Sequence, residues 1–259
     1  MLAASNSNSS QSKWLLNWHN NAPQQSLICF PSAGSGAYVY KAWAQSLAAK
    51  LNVYAVQIPG RENRIGEKPV AKLEELIHTL ADELKPYLQP PFAFFGHSLG
   101  GIIAYELCRE LRRRKEPIAN HLFVSAVAAP DLGYCRPLHK LPDDELAQEI
   151  SQLGGTPRAV LEDLGMRDMV LSLVRVDLKL LETRTYVDEA PLNCPITAFG
   201  SASDTRTSMD ELKAWQRHTS QAFRLQEFPG GHFYFKDQDI RQRLFAEIVA
   251  TLSIPEALS

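Results

Sequence analysis

The chain predicts an α/β fold, a mostly parallel central sheet covered by helices on both faces, with one all-helical insertion late in the sequence. Three observations predict it. Short runs that are apolar at every position alternate with runs of helical periodicity, the pattern of a sheet buried on both sides. One such run stops abruptly at Gly96-His97-Ser98-Leu99-Gly100 and resumes as a helix. Across 141–186, helix-like segments follow one another with no strand between them.

The elements follow in order. Leu27-Ile28-Cys29-Phe30 is a wholly apolar strand, and Pro31-Ser32-Ala33-Gly34-Ser35-Gly36 is the loop after it. Trp43, Leu47 and Leu51 recur at helical spacing within 40–51. A strand over 53–57 ends at Pro59-Gly60, and Leu73, Leu76, Ile77, Leu80 and Leu84 make an amphipathic helix that Pro86 closes. Strands over 92–95 and 122–124 flank a helix through 102–108, which ends in Arg112-Arg113-Arg114-Lys115, cations that complement a helix C-terminus and stay solvated. The insertion reads as helices over 143–153, 158–164 and 169–183. Pro142 and three acids open the first of them, and Gly154-Gly155 stops it. Strands over 196–199 and 223–228 complete the sheet, with a helix over 209–219 between them.

Composition narrows the classes. The 259 residues are 45% hydrophobic and 22% charged, ordinary for a globular core. A net charge of -2 argues against a nucleic-acid binder. The four cysteines, Cys29, Cys108, Cys135 and Cys194, lack the spacing of a zinc site or a disulfide framework. No apolar run is long enough to span a bilayer. Residues 1–13, rich in Ser and Asn, are expected to be a disordered tail ahead of one domain over 14–259, in a cytoplasmic protein.

The chemistry starts at 92–101. Strand, sharp turn and helix are the context in which G-x-S-x-G becomes a nucleophile elbow. A turn tight enough to lift a serine hydroxyl out of the sheet needs neighbours without bulk, which Gly96 and Gly100 supply. Ser98 is the candidate nucleophile. Its base and acid should follow in the order acid, then histidine. His232, freed by Gly230 and Gly231 just past the last strand, is the candidate base. Asp204, in the loop after 196–199, is the candidate acid. Asp210 is its rival but opens a helix, and Asp188 precedes the strand. The two oxyanion amides are expected from Leu99, next to the nucleophile, and from Ala33 in the first loop. His97 reads as an elbow packing residue, Gly34-Ser35-Gly36 lacks the rest of a phosphate loop, and no cluster has metal spacing.

Several segments together resemble the type II thioesterases that accompany polyketide and nonribosomal peptide synthases, members of the α/β-hydrolase superfamily. They are Phe30-Pro31 with Ala33-Gly34, the run Ala55-Val56-Gln57-Ile58-Pro59-Gly60-Arg61-Glu62, and the elbow 95–101. Leu141-Pro142-Asp143-Asp144-Glu145, Leu153-Gly154-Gly155-Thr156-Pro157, Leu180-Leu181-Glu182-Thr183 and Phe228-Pro229-Gly230-Gly231-His232-Phe233 complete the set. Ser32, Ser35 and Thr205 depart from the family pattern. The resemblance implies an α/β-hydrolase fold with a helical lid at about 141–186 and a triad of Ser98, Asp204 and His232. It implies hydrolysis of acyl groups on the phosphopantetheine arm of an acyl or peptidyl carrier protein, to clear stalled or aberrant chains, by a monomer without cofactor or metal. The residues alone would serve an oxygen ester equally well. Another serine esterase or acyltransferase, a product-releasing thioesterase, and a non-catalytic binding protein of the same fold stay open.

Overall fold

Seven strands make one sheet in the computed structural model, which describes residues 12–18, 25–133 and 137–253. They are β1 (Leu15–Asn17), β2 (Ser26–Phe30), β3 (Asn52–Val56), β4 (Phe92–His97), β5 (His121–Ser125), β6 (Ile196–Gly200) and β7 (Phe223–Glu227). Their order is β1-β3-β2-β4-β5-β6-β7, and only β1 runs antiparallel to its neighbour. The chain goes from β2 to β3 on one side and returns to lay β4 on the other. That reversal opens a crevice at the carboxyl ends of β2 and β4, where ligands bind in such sheets.

The continuous apolar strands divide by alternation. Phe92 and Phe94 of β4 point into one layer, with Leu122 and Val124 of β5 and Ile196 of β6. Helices α2 (Leu73–Leu84) and α3 (Leu99–Arg113) cover that layer. Ala93, Phe95, Phe123 and Phe199 point the other way, against α1 (Lys41–Leu47) and α8 (Gln238–Ser253). There Trp43 lies 4.7 Å from the Phe95 ring and 4.9 Å from Phe245. Aromatic pairs at such separations stabilise a core beyond their buried area.

Between β5 and β6 stand α4 (Asp143–Leu153), α5 (Arg158–Glu162) and α6 (Leu164–Glu182). They have a small core of their own, built from Leu146, Ile150, Leu171, Val174 and Leu178 with Leu138. α7 (Met209–Lys213) follows β6.

The departures from expectation are local. α1 ends at Leu47 because the amides of Lys50 and Leu51 both turn back to the Leu47 carbonyl. α6 begins at Leu164, five residues before 169, because the Asp163 carboxylate caps it by accepting the Met166 amide at 2.8 Å. The helix expected over 209–219 tightens into a 3-10 turn after Lys213, which buries Trp215 and lets its Nε1–H donate to the Val127 carbonyl at 2.8 Å. Arg112 and Arg113 pair with Glu189 and tie the helix to a loop, while Arg114 pairs with Glu110 one turn back, so these three cations are not simply solvated. Of the expected tail, 1–11 lies outside the described residues. Ser12 is held by its amide donating to the Tyr87 hydroxyl at 3.2 Å. Cys29, Cys108 and Cys194 are buried free thiols, burial pushing Cys108 up to about 12, and Cys135 lies outside the described residues. No helix among the described residues is long and apolar enough to cross a membrane.

Candidate active site

β4 runs straight into the elbow. Ser98 sits at φ 53° and ψ -121°, outside the regions L-residues ordinarily occupy. The conformation persists because its surroundings enforce it. The Ser98 amide donates to the Ser125 carbonyl at 2.8 Å, and its own carbonyl accepts the Gly101 amide at 2.9 Å. The close approach leaves no room for side chains on either glycine. A Cβ on Gly96 would lie 2.1 Å from the Gly100 carbonyl oxygen, and one on Gly100 would lie 2.1 Å from that of Phe30.

His232 and Asp204 meet as the sequence leads one to expect. His232 Nδ1 lies 2.8 Å from Asp204 Oδ2, with the side chains 3% and 1% exposed. Such a buried carboxylate fixes the imidazole tautomer, leaving Nε2 as the acceptor on the other side of the ring. The other carboxylate oxygen, Oδ1, accepts the amides of Arg206 at 2.8 Å and Thr207 at 3.4 Å. Asp210 and Asp188 are both exposed. Ser98, His232 and Ala33 line one cavity of about 470 Å³. Much of its lining is apolar and comes from the helical insertion, including Ile150, Val160 and Leu173. The side chain of Leu99 is fully buried, so only its backbone is available to the site.

His97 packs beneath the site. It is 1% exposed, its ring centroid 5.0 Å from that of His232, and its Nδ1 pairs with the Ser125 hydroxyl at 2.9 Å. Burial holds its pKa well below the usual value, with His232 adding to the effect. The unfolded chain binds a proton that the folded chain refuses. Stability is therefore full above about pH 6.5 and declines as the pH falls below it. Burial lowers His121 in the same direction, to about 4. Thermal melts of wild type and His97→Asn at pH 7 and pH 5 check this, since the variant should lose less. Equal losses would show that His97 carries no such linkage.

Two carboxylates of α6 were given no role from the sequence, although Glu182 stood in one of the segments that carry the resemblance. Asp177 forms a two-toothed ion pair with Arg61 at 2.6 and 2.9 Å, and Glu182 meets Arg206 at 2.5 Å. One signal could have found the first: Asp177 lies on the face marked by Leu171, Val174, Leu178 and Leu181, where a lone acid needs a partner. The Ser32 and Ser35 hydroxyls, both departures from the family pattern, lie 3.0 Å apart. Among the described residues no group of three or more His, Cys, Asp or Glu is placed to hold a metal.

The thioesterase domain family matches residues 25–252. The gramicidin S biosynthesis protein GrsT of Aneurinibacillus migulanus is 37% identical over 86% of this chain and 88% of its own length. The thioesterase PikA5 of Streptomyces venezuelae is 34% identical over 94% of this chain and 88% of its own. Among solved structures, the thioesterase RedJ of the prodiginine pathway of Streptomyces coelicolor superposes with a TM-score of 0.83 at 36% identity, covering 88% of this chain and 90% of its own. The elbow at the sheet's reversal point and these likenesses over nearly the full length make this chain a member of the thioesterase domain family, a thioester hydrolase of the α/β-hydrolase fold.

Proposed function

We propose that the protein hydrolyses acyl thioesters carried on the phosphopantetheine arm of an acyl or peptidyl carrier protein, clearing stalled or aberrant chains from a polyketide or nonribosomal peptide synthase. One observation carries the reading: Ser98 and the Asp204-paired His232 share a cavity lined by apolar side chains of the helical insertion. An acyl chain has an apolar wall to lie against there, with its carbonyl at the serine. Relatives named for gramicidin S and prodiginine biosynthesis supply the setting.

In this mechanism Ser98 Oγ bonds to the acyl carbon as its proton passes to His232 Nε2. The carbonyl electron pair moves to oxygen, which rests on the amides of Leu99 and Ala33. Collapse re-forms the carbonyl and breaks the C–S bond, and the thiolate takes the proton from His232. Asp204 holds the imidazole and stabilises its charged form. A thiol of pKa about 8.5 is a good leaving group and needs little acid assistance. Water then gives a proton to His232 and attacks the acyl-serine. The second collapse releases the carboxylic acid and returns the proton to Ser98. The carrier delivers the substrate, and the protein works as a cytoplasmic monomer without cofactor or metal.

The test is acyl release from an acyl-loaded carrier protein, wild type against Ser98→Ala, beside the same acyl group on a simple ester. Serine-dependent release favouring the carrier is expected. A preference for the ester would discard the carrier role and leave an esterase. No serine-dependent release from any acyl group would point to a binding protein.

A further inference from the structure

The Ala33 amide belongs to a four-residue turn. The Ser35 amide donates to the Ser32 carbonyl at 3.0 Å, and Gly34 has φ +74°, which a type II turn requires at that position. The Ser32–Ala33 peptide is planar and trans, so its carbonyl and its N–H leave from opposite edges. With the carbonyl committed to Ser35, the Ala33 N–H is aimed away from the interior of the turn.

The neighbouring peptides are held from outside the turn. The Gly34 amide donates to Asp177 Oδ2 at 2.8 Å, and the Ser35 carbonyl accepts from Arg61 Nη1 at 3.0 Å. Arg61 and Asp177 then pair with each other, their side chains 3% and 1% exposed. Arg61 follows β3, while Asp177 comes from α6, 116 positions further along the chain. The helix rests directly on the turn, since a Cβ at Gly34 would lie 2.4 Å from Val174 Cγ2.

We infer that Asp177, braced by Arg61, is the positioning residue of the oxyanion turn. It holds the Gly34 peptide in place, so that the Ala33 N–H is set before the oxyanion forms. The inference rests on the reading of Ala33 as an oxyanion donor. Arg61 neutralises the carboxylate, so Asp177 shapes the turn without adding net negative charge beside the developing anion. The segment of α6 from Val174 to Asp177 belongs to the catalytic frame, and any opening of the insertion has to leave it in place.

Asp177→Asn keeps the outline of the side chain, with its oxygen in the place of Oδ2, which accepts both the Gly34 amide and Arg61 Nη1. Its NH₂ group is then set against Arg61 Nη2, donor against donor, so the brace and the Gly34 contact cannot both be kept in their present geometry. On thioester substrate kcat is expected to fall about 10–100-fold with KM within about twofold, because only the charged transition state senses the aim of the amide. Inhibition by an acyl trifluoromethyl ketone, whose hemiketal oxygen occupies the oxyanion position, should weaken by the same factor. The double variant Arg61→Leu/Asp177→Leu removes both charges together and leaves none buried alone, so it reads the same effect if the single variant does not fold. Unchanged kcat and inhibitor affinity in a folded variant would overturn the inference, as would a loss confined to KM. Labelling of wild type by a fluorophosphonate separates the two failures. Label at Ser98 with unaffected variants sinks only the role of Asp177, whereas no label at Ser98 sinks the triad reading and this inference with it.

Discussion

Replacing Asp204 by asparagine is expected to slow thioester turnover about 10⁴-fold, a loss approaching that of Ser98→Ala, while leaving the melting temperature nearly unchanged. The reason lies in which atom faces which. Asp204 Oδ1 accepts the amides of Arg206 and Thr207, and Oδ2 meets His232 Nδ1. An asparagine in this place has one acceptor and one donor group. The two backbone amides claim the oxygen, so the NH₂ group is turned toward His232. That group donates to Nδ1, and the imidazole proton moves to Nε2. The histidine then presents a donor to Ser98 where it has to present an acceptor, and proton abstraction fails although every heavy atom stays in place. Steady-state kinetics on an acyl thioester together with a thermal melt check this. A variant retaining a tenth of wild-type kcat would remove Asp204 from the role of acid. Asp210→Asn is the matched control and should be silent, because that residue is exposed at the start of α7.

Much of this site was legible because its constraints are local. Gly96, Ser98 and Gly100 lie within one turn, and the steric demand that links them is written in consecutive residues. His232 was legible for a similar reason, since two glycines and the end of a strand isolate it. The central strands were legible because β2, β4 and β5 are buried on both faces and so carry unbroken apolar runs, over 27–30, 92–95 and 122–124. β1 was not legible. Leu15–Asn17 is a strand only because the edge of β3 offers unpaired groups, which nothing within 15–17 announces. α8 was not assigned either, although Ile240, Leu244, Ile248 and Leu252 recur along it at helical spacing. The Arg61–Asp177 pair lay beyond reach for a different reason. Arg61 was visible within the Pro59-Gly60-Arg61-Glu62 segment, but its partner was not, and no pattern within a window joins residues 116 positions apart. Sequence patterns report periodicity and sterics over a few residues, whereas a buried ion pair is decided by where two distant elements cross.

The steric claim at the elbow yields the largest expected effect on folding, and it comes with its own internal scale. Gly100→Ala places a methyl group 2.1 Å from the Phe30 carbonyl oxygen, 2.7 Å from the Phe30 carbonyl carbon and 2.8 Å from the Pro31 oxygen. All three are backbone atoms, and Phe30 is locked in register against Gly96 by the parallel pairing of β2 with β4. No rotamer change can relieve the contact. Either α3 lifts off the end of β2 or the strand pair opens, and both carry the Ala33 turn away from Ser98. The melting temperature is expected to fall by about 10 °C or more, with activity lost in parallel. Gly101→Ala meets Val127 Cγ1 at 2.7 Å, a side-chain atom that can shift, and the Gly96 carbonyl oxygen at 3.2 Å, a much milder backbone contact than that at Gly100, and should cost less. Gly66→Ala meets nothing within 4 Å and should be neutral or slightly stabilising, because alanine reduces the freedom of the unfolded chain. Melting curves for the three variants should therefore rank Gly100 far below Gly101, with Gly66 at or above wild type. A Gly100→Ala protein that melts with the wild type would show that the helix stands clear of β2, and the strained serine would then need another explanation. If the ranking holds, the glycine at 100 is required by a backbone-to-backbone contact, and that same contact keeps Ser98 beside the loop that carries Ala33.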